Sequence, residues 1–132
     1  MSRTFILGTL ATIAAISLLS VANGDEESAI GFDTVIEALE ALKADSSASV
    51  RNEGGWTIVN QKVGDDRIIW SFTPEGHAAH PAAVKRTIFE KDGALYISLE
   101  ALCQGPKPAC DALIEQFKEL NRRVQQSIRS GG

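Results

Sequence analysis

What this 132-residue chain has little of narrows its chemistry before any motif is sought. It holds only two histidines and two cysteines, whereas a transition-metal site draws about three or four protein ligands, mostly from those residue types. Thirteen basic residues stand against seventeen acidic ones, a formal net charge of −4. That balance lacks the basic footprint of a nucleic-acid-binding domain and the basic face that an anionic membrane surface attracts. No G-x-S-x-G occurs, so the strained elbow that exposes a hydrolase serine is missing. The glycines of "NEGGW" and "PEG" do not form a phosphate-cradling loop opening a helix. Carboxylates are spread over turn-like and helix-like segments without a spacing that singles out an acid and base pair. An enzyme is therefore not the expectation, and His77 and His80 are the only natural candidates for a general base.

Charge is also absent from residues 4–24, and here the lack is informative. Arg3 precedes an apolar run over residues 5–21, followed by the small residues Ala22, Asn23 and Gly24. A basic start, an apolar stretch and a small-residue cleavage site are the parts of an export signal. Cleavage is expected after Gly24, with a cut after Ala22 as the alternative. Ser, Thr and Gly dilute the run, which sets it apart from the ~20 strongly apolar residues of a retained membrane span. The mature chain of residues 25–132 then keeps twelve basic against seventeen acidic residues, a net charge of about −5, and forms one domain without a stable membrane anchor. Its location is expected to be periplasmic or extracellular.

The two cysteines, Cys103 and Cys110, enclose "QGPKPA". In an oxidising compartment an isolated pair at this spacing is read as a disulfide, and the six intervening residues are unlike the two-residue spacing of a redox motif.

Along the chain, residues 25–31 are acidic and read as a mobile lead-in, with order beginning near Phe32. In "FDTVIEALEALKADSS" the residues Val35, Ile36, Leu39 and Leu42 fall on one stripe, and Thr34 with Glu37 makes a capping box, predicting a helix over residues 34–44. "ADSSASVRNEGG" is polar, ends in Gly54-Gly55 and reads as a loop. Period-2 segments then predict strands over residues 56–63 and 67–73 around "GDD". A second hairpin is centred on Asp92-Gly93, a dipeptide that accepts the positive φ of a tight turn. With those two residues in the turn, Glu90 faces Leu95, Ile88 faces Ile97 and Arg86 faces Leu99. On the opposite side Phe89 meets Tyr96, Thr87 meets Ser98 and Lys85 meets Glu100. Arg86 thus shares a face with Ile88, Ile97 and Leu99, either snorkelling to water or held as a charge in a pocket. After the cysteine loop, Cys110, Leu113, Phe117, Leu120, Val124 and Ile128 form the stripe of an amphipathic helix opened by Pro108 and closed after Arg129.

The expected architecture is α+β, in the order αββββα: a four-stranded antiparallel sheet of two hairpins with both helices on one face. Its core would combine Ile68, Trp70, Phe72, Ile97 and Leu99 with Leu39, Leu42, Phe117 and Leu120. The other face would look outward or meet a partner.

"SFTPEGHAAHPAAVKR" carries both histidines between two of the four prolines. Pro74 cannot donate to a sheet ladder and Pro81 restricts His80 to an extended backbone, so the stretch reads as a braced connection between hairpins. Its reading as a metal site would use His77 and His80 with zinc or copper; otherwise no cofactor is expected. The expected function is that of a small exported, non-enzymatic binding module. Its contact surface would be Trp56, Pro74, His77, His80, Pro81 and Arg86, and its partner another exported or envelope protein, not nucleic acid.

Overall fold

The computed structural model describes residues 29–131; the expected export signal lies outside the described residues. Seven elements follow one another: α1 (Val35–Ala44), β1 (Ser49–Glu53), β2 (Trp56–Val63), β3 (Asp66–Phe72), β4 (Ala82–Lys91), β5 (Ala94–Cys103) and α2 (Lys107–Gly131). The strands form one antiparallel meander in the order β1-β2-β3-β4-β5. The α+β class is as expected; the strand count is not.

The additional strand, β1, lies in the segment read as a loop. All five of its residues are exposed, so it shows no burial alternation, and it pairs only with β2. Gly54 and Gly55 have φ of 57° and 86°, the left-handed pair that a two-residue hairpin turn requires. A Gly-Gly pair that punctuates a loop also serves as a turn; what separates the two is whether the polar residues before it find a ladder partner.

The β4–β5 register matches expectation at each predicted pair, from Glu90 opposite Leu95 to Lys85 opposite Glu100. Asp92 and Gly93 take φ of 53° and 79°. Across the ladder Phe89 and Tyr96 stack at 5.7 Å, and Lys85 and Glu100 form an ion pair at 3.8 Å.

The helices lie on opposite faces of the sheet, not on one. The face under α1 buries Val59, Trp70, Phe72 and Ala83 against Val35, Ala38 and Leu42, with Phe32 and Leu39 at the margin. Ile30 is 2% exposed and belongs to this cluster, so packing starts two residues before Phe32. Ile36 points away at 63% exposure, because it sits 100° round the helix from Val35. The Thr34 hydroxyl caps the helix by accepting from the Glu37 amide at 3.2 Å. Trp70 Nε1 donates to Gln61 at 2.8 Å, and Gln61 Nε2 donates in turn to Asp45 at the end of α1.

The other face carries Ala82, Val84, Leu99 and Ala101 against Leu113 and Phe117 of α2. The expected single core is therefore two. Strand alternation sends Trp70 and Phe72 to one side and Ile97 and Leu99 to the other, and each side recruits its own helix. Leu120 lies outside both clusters at 41% exposure. Gln125 Nε2 donates to Leu95 O at 2.6 Å, which holds the far end of α2 over the start of β5.

The Cys103–Cys110 disulfide forms, with an S–S distance of 2.04 Å, and no free cysteine remains among the described residues. Its loop ties three parts together. Gln104 Oε1 accepts from the Val35 amide at 2.9 Å, and Gln104 N donates to Pro81 O at 2.8 Å. Gly105 lies so close to the Ala79 backbone that an added Cβ would stand 2.4 Å from Ala79 O. A disulfide is compatible with an exported protein. No helix among the described residues is long and apolar enough to cross a membrane.

Candidate functional site

The histidine stretch is built into the end of the sheet. His80 Nδ1 lies 3.0 Å from Thr73 Oγ1 and 3.1 Å from Thr73 O, while Thr73 Oγ1 accepts from the Ala82 amide at 3.0 Å. Pro74 packs against Gly55, and Pro81 holds the Gln104 amide through its carbonyl. His77 Nδ1 accepts from the Ala79 amide at 3.0 Å, leaving Nε2 as its protonated nitrogen. Pro74, His80 and Pro81 thus brace the turn. No group of three or more His, Cys, Asp and Glu converges among the described residues.

His77 differs from these neighbours, because its ring meets Trp56 edge-on at 5.3 Å. Trp56 in turn meets Phe117 of α2 at 6.0 Å. The Arg86 guanidinium carbon stands 5.3 Å over the Phe117 ring. A wall running His77, Trp56, Phe117, Arg86 results, with members from a loop, β2, α2 and β4. Three of the residues predicted as a contact surface are therefore brought together, and Phe117, predicted as core, links them.

That wall borders a concavity of about 340 Å³ lined by Arg51, Glu53, Trp56, Ile58, Ser71, Arg86, Phe117 and Leu120. Its size is at the small end for a ligand cleft. The geometry follows from the meander. Helix α2 lies over β4 and β5 and reaches β2 at Trp56, so the same face of β1, β3 and the rest of β2 is left as an open floor beside the helix.

Arg86 is the chemically exposed point of this site. It is half-buried, its Nε is buried without a hydrogen-bond partner, and no carboxylate pairs with it among the described residues. Burial pushes its guanidinium below the ordinary value, yet arginine stays protonated in proteins. The ring of Phe117 compensates in part, since a cation over an aromatic face is worth about 0.5–2 kcal/mol. A buried donor left unmade costs about 1–3 kcal/mol. Of the two readings of Arg86, the charge in a pocket is the one its surroundings support. The sequence alone does not single out Ile58 and Ser71. Their signal is the even spacing from Trp56 to Ile58 and from Ile69 to Ser71, but it becomes legible only once the helices are known to take opposite faces.

Comparison with protein-family models, curated proteins and solved structures finds no match to this chain.

Proposed function

We propose that this protein is a small exported, non-enzymatic binding module whose contact site is the concavity between α2 and the open floor of β1 to β3. The observation that carries this is Arg86, a half-buried cation with an unmade Nε bond at the edge of an open, largely apolar concavity. Trp56 and Phe117 supply rigid aromatic area, and Arg86 supplies a planar set of donors; Trp and Arg are enriched among residues that dominate binding energy. The disulfide ties the first turn of α2 to the end of β5 beside this site. Its presence also fits an oxidising location outside the cytoplasm, with another exported or envelope protein as partner.

Site-specific photocrosslinking tests the reading. A benzoylphenylalanine at position 120, beside the concavity, is expected to yield a discrete adduct in the exporting cell that is lost on Arg86→Gln. The same probe at position 36, on the opposite side, is expected to yield none. Equal labelling at both positions, or an adduct indifferent to Arg86, would overturn it.

The zinc or copper reading of His77 and His80 has less support. Both Nδ1 atoms are engaged within the chain, and His77, whose Nδ1 accepts from Ala79, carries its proton on Nε2, so that tautomer offers a metal no lone pair.

A further inference from the structure

Strand alternation and register place four cations on the α2 side of the sheet: Arg51 on β1, Lys62 on β2, Arg67 on β3 and Arg86 on β4. Arg51 is paired with Glu53 at 3.2 Å. Lys62, Arg67 and Arg86 have no ion-pair partner among the described residues. Lys62 and Arg67 also stand directly opposite one another across the β2–β3 ladder, an arrangement of like charges that is destabilising. In a chain with a net charge of −4, three uncompensated cations on one face are not explained by composition.

These cations are joined by a continuous floor. Next to the concavity at Arg86 lies a depression whose lining includes Ser49, Asn60, Lys62, Arg67, Ile69 and Ile88 and, at the sheet margin, Ser47, Gln61 and Ile68. Beyond it Arg67 and Ile88 also border a third depression with Leu95 and Ile128. The acids lining this trough are Glu53, which shares the concavity with Arg86 but pairs with Arg51, and Asp65 and Glu90 at the far end, neither of which forms an ion pair with Arg67.

Resting on the binding-module reading, we infer that the trough takes an extended acidic segment of a partner polypeptide, with carboxylates on alternate residues, one on Arg86 and the next on the Lys62 and Arg67 pair. The spacing comes from the register. Arg86 is opposite Ile69, and Arg67 is two residues further along β3, so the two cationic rows are about 6.8 Å apart along the strands at ~3.4 Å per residue. An extended peptide repeats its side-chain direction with the same period. Carboxylates at i and i+2 would face both rows, whereas adjacent carboxylates would point to opposite sides. The guanidinium of Arg86 suits a carboxylate through paired parallel hydrogen bonds. Three isoleucines, Ile58, Ile69 and Ile88, give the floor between the cations an apolar surface that lowers the local dielectric and strengthens the charge pairing.

The test is a titration of the 15N-labelled protein, followed at the arginine Nε–Hε cross-peaks and assigned with Arg86→Lys. The probe is acetyl-Gly-Glu-Ser-Glu-Gly-amide. Three comparators are the same peptide with both Glu replaced by Gln, the adjacent-carboxylate isomer acetyl-Gly-Glu-Glu-Ser-Gly-amide, and acetate at matched carboxylate concentration. The alternating peptide is expected to shift the Arg86 signal saturably, with a Kd at least about tenfold below that of each comparator. Binding should weaken at least about tenfold in the Lys62→Gln/Arg67→Gln variant, whose changes lie at exposed positions, and should fall with added salt. Equal titration by acetate or by the adjacent isomer would mean a bare anion pocket and would overturn the segment proposal, as would indifference to the Lys62 and Arg67 changes. If the adduct at position 120 remains Arg86-dependent while the peptide fails, the acidic class falls and the binding site stands. If both fail, both readings fall.

Discussion

The two faces of the sheet are finished differently. Under α1, a helix of only ten residues closes a compact cluster, and the one indole there donates its N–H into the chain Trp70, Gln61, Asp45. Under α2, a helix of twenty-five residues covers β4 and β5 yet leaves the floor of β1 to β3 open, with an unmade arginine bond at its margin. Length of helix did not decide closure; lateral position did. A long helix laid along one edge of a sheet builds a wall and a trough, while a short one over the middle seals what lies beneath. Side chains on the first face serve stability, and those on the second include groups whose position costs stability, as sites of function commonly do.

The sharpest way to break the contrast is in the closed face. Trp70→Ala should lower unfolding free energy by about 3–5 kcal/mol, since it removes a buried indole and orphans Gln61, measurable as a fall in the denaturant midpoint. A cost below about 1 kcal/mol would show that this cluster does not hold the domain.

Next in size is the disulfide, which belongs to both faces because its loop caps α1, touches the histidine turn and starts α2. Replacing both cysteines by serine should cost about 2.5 kcal/mol for a loop of about eight residues in the chain-entropy model. Hydrogen exchange should then rise first at Val35, whose amide donates to Gln104, and at Gln104, whose amide donates to Pro81. Uniform loosening across the sheet would remove this anchoring role.

Gly105→Ala makes a smaller and more local break. The new methyl would enter the Ala79 carbonyl, and overpacking of that kind costs about 1–3 kcal/mol. A thermal midpoint equal to the parent's would show that the approach relaxes freely.

Arg86→Met tests the open face. Replacing a half-buried, unpaired guanidinium by an apolar chain of similar length is expected to change stability by less than about 1 kcal/mol, or to raise it, while the position-120 adduct disappears. A marked loss of stability would instead make Arg86 a structural residue.

The smallest effect is at an exposed group. Hydrogen bonds from Arg122 and Arg123 hold the Glu119 carboxyl at about 2, below its ordinary 4.5. A depressed carboxylate pKa adds stability that is present above the unfolded value and is lost as the pH falls from about 4.5 through about 2. The group is fully exposed, so the contribution is screened and slight. An NMR titration of the side-chain carboxyl should show the low midpoint, and an ordinary one would mean that the arginine pairs are not populated in solution.

The parts of the fold legible in the sequence are those with a strong local cause. Thr34 and Glu37 marked the start of α1, Asp92-Gly93 set the β4–β5 register at each predicted pair, and the three-and-four spacing from Cys110 to Ile128 marked α2. β1 was not legible, because "SVRNE" is exposed throughout and gains its hydrogen bonds only from β2. Of the predicted contact surface, Trp56, His77 and Arg86 come together, whereas Pro74, His80 and Pro81 brace the turn. The histidine pair stands out in the sequence as a possible ligand set because nearness in sequence is visible. Arg86 and Phe117, thirty-one positions apart, meet only in three dimensions.

Local chemistry by itself determined the types of α1, β2 to β5 and α2, the Asp92-Gly93 turn that pins the β4–β5 hairpin and the cysteine pair that could close. These are short-range matters of backbone preference and spacing. Only the tertiary structure decided which face each helix took and therefore which strand residues became core and which became floor. Alternation divides a strand into two faces without saying what will cover either. The covering is set by where a connection emerges: the turn through the disulfide delivers α2 beside β5, and the open trough with its unpaired arginine follows from that placement.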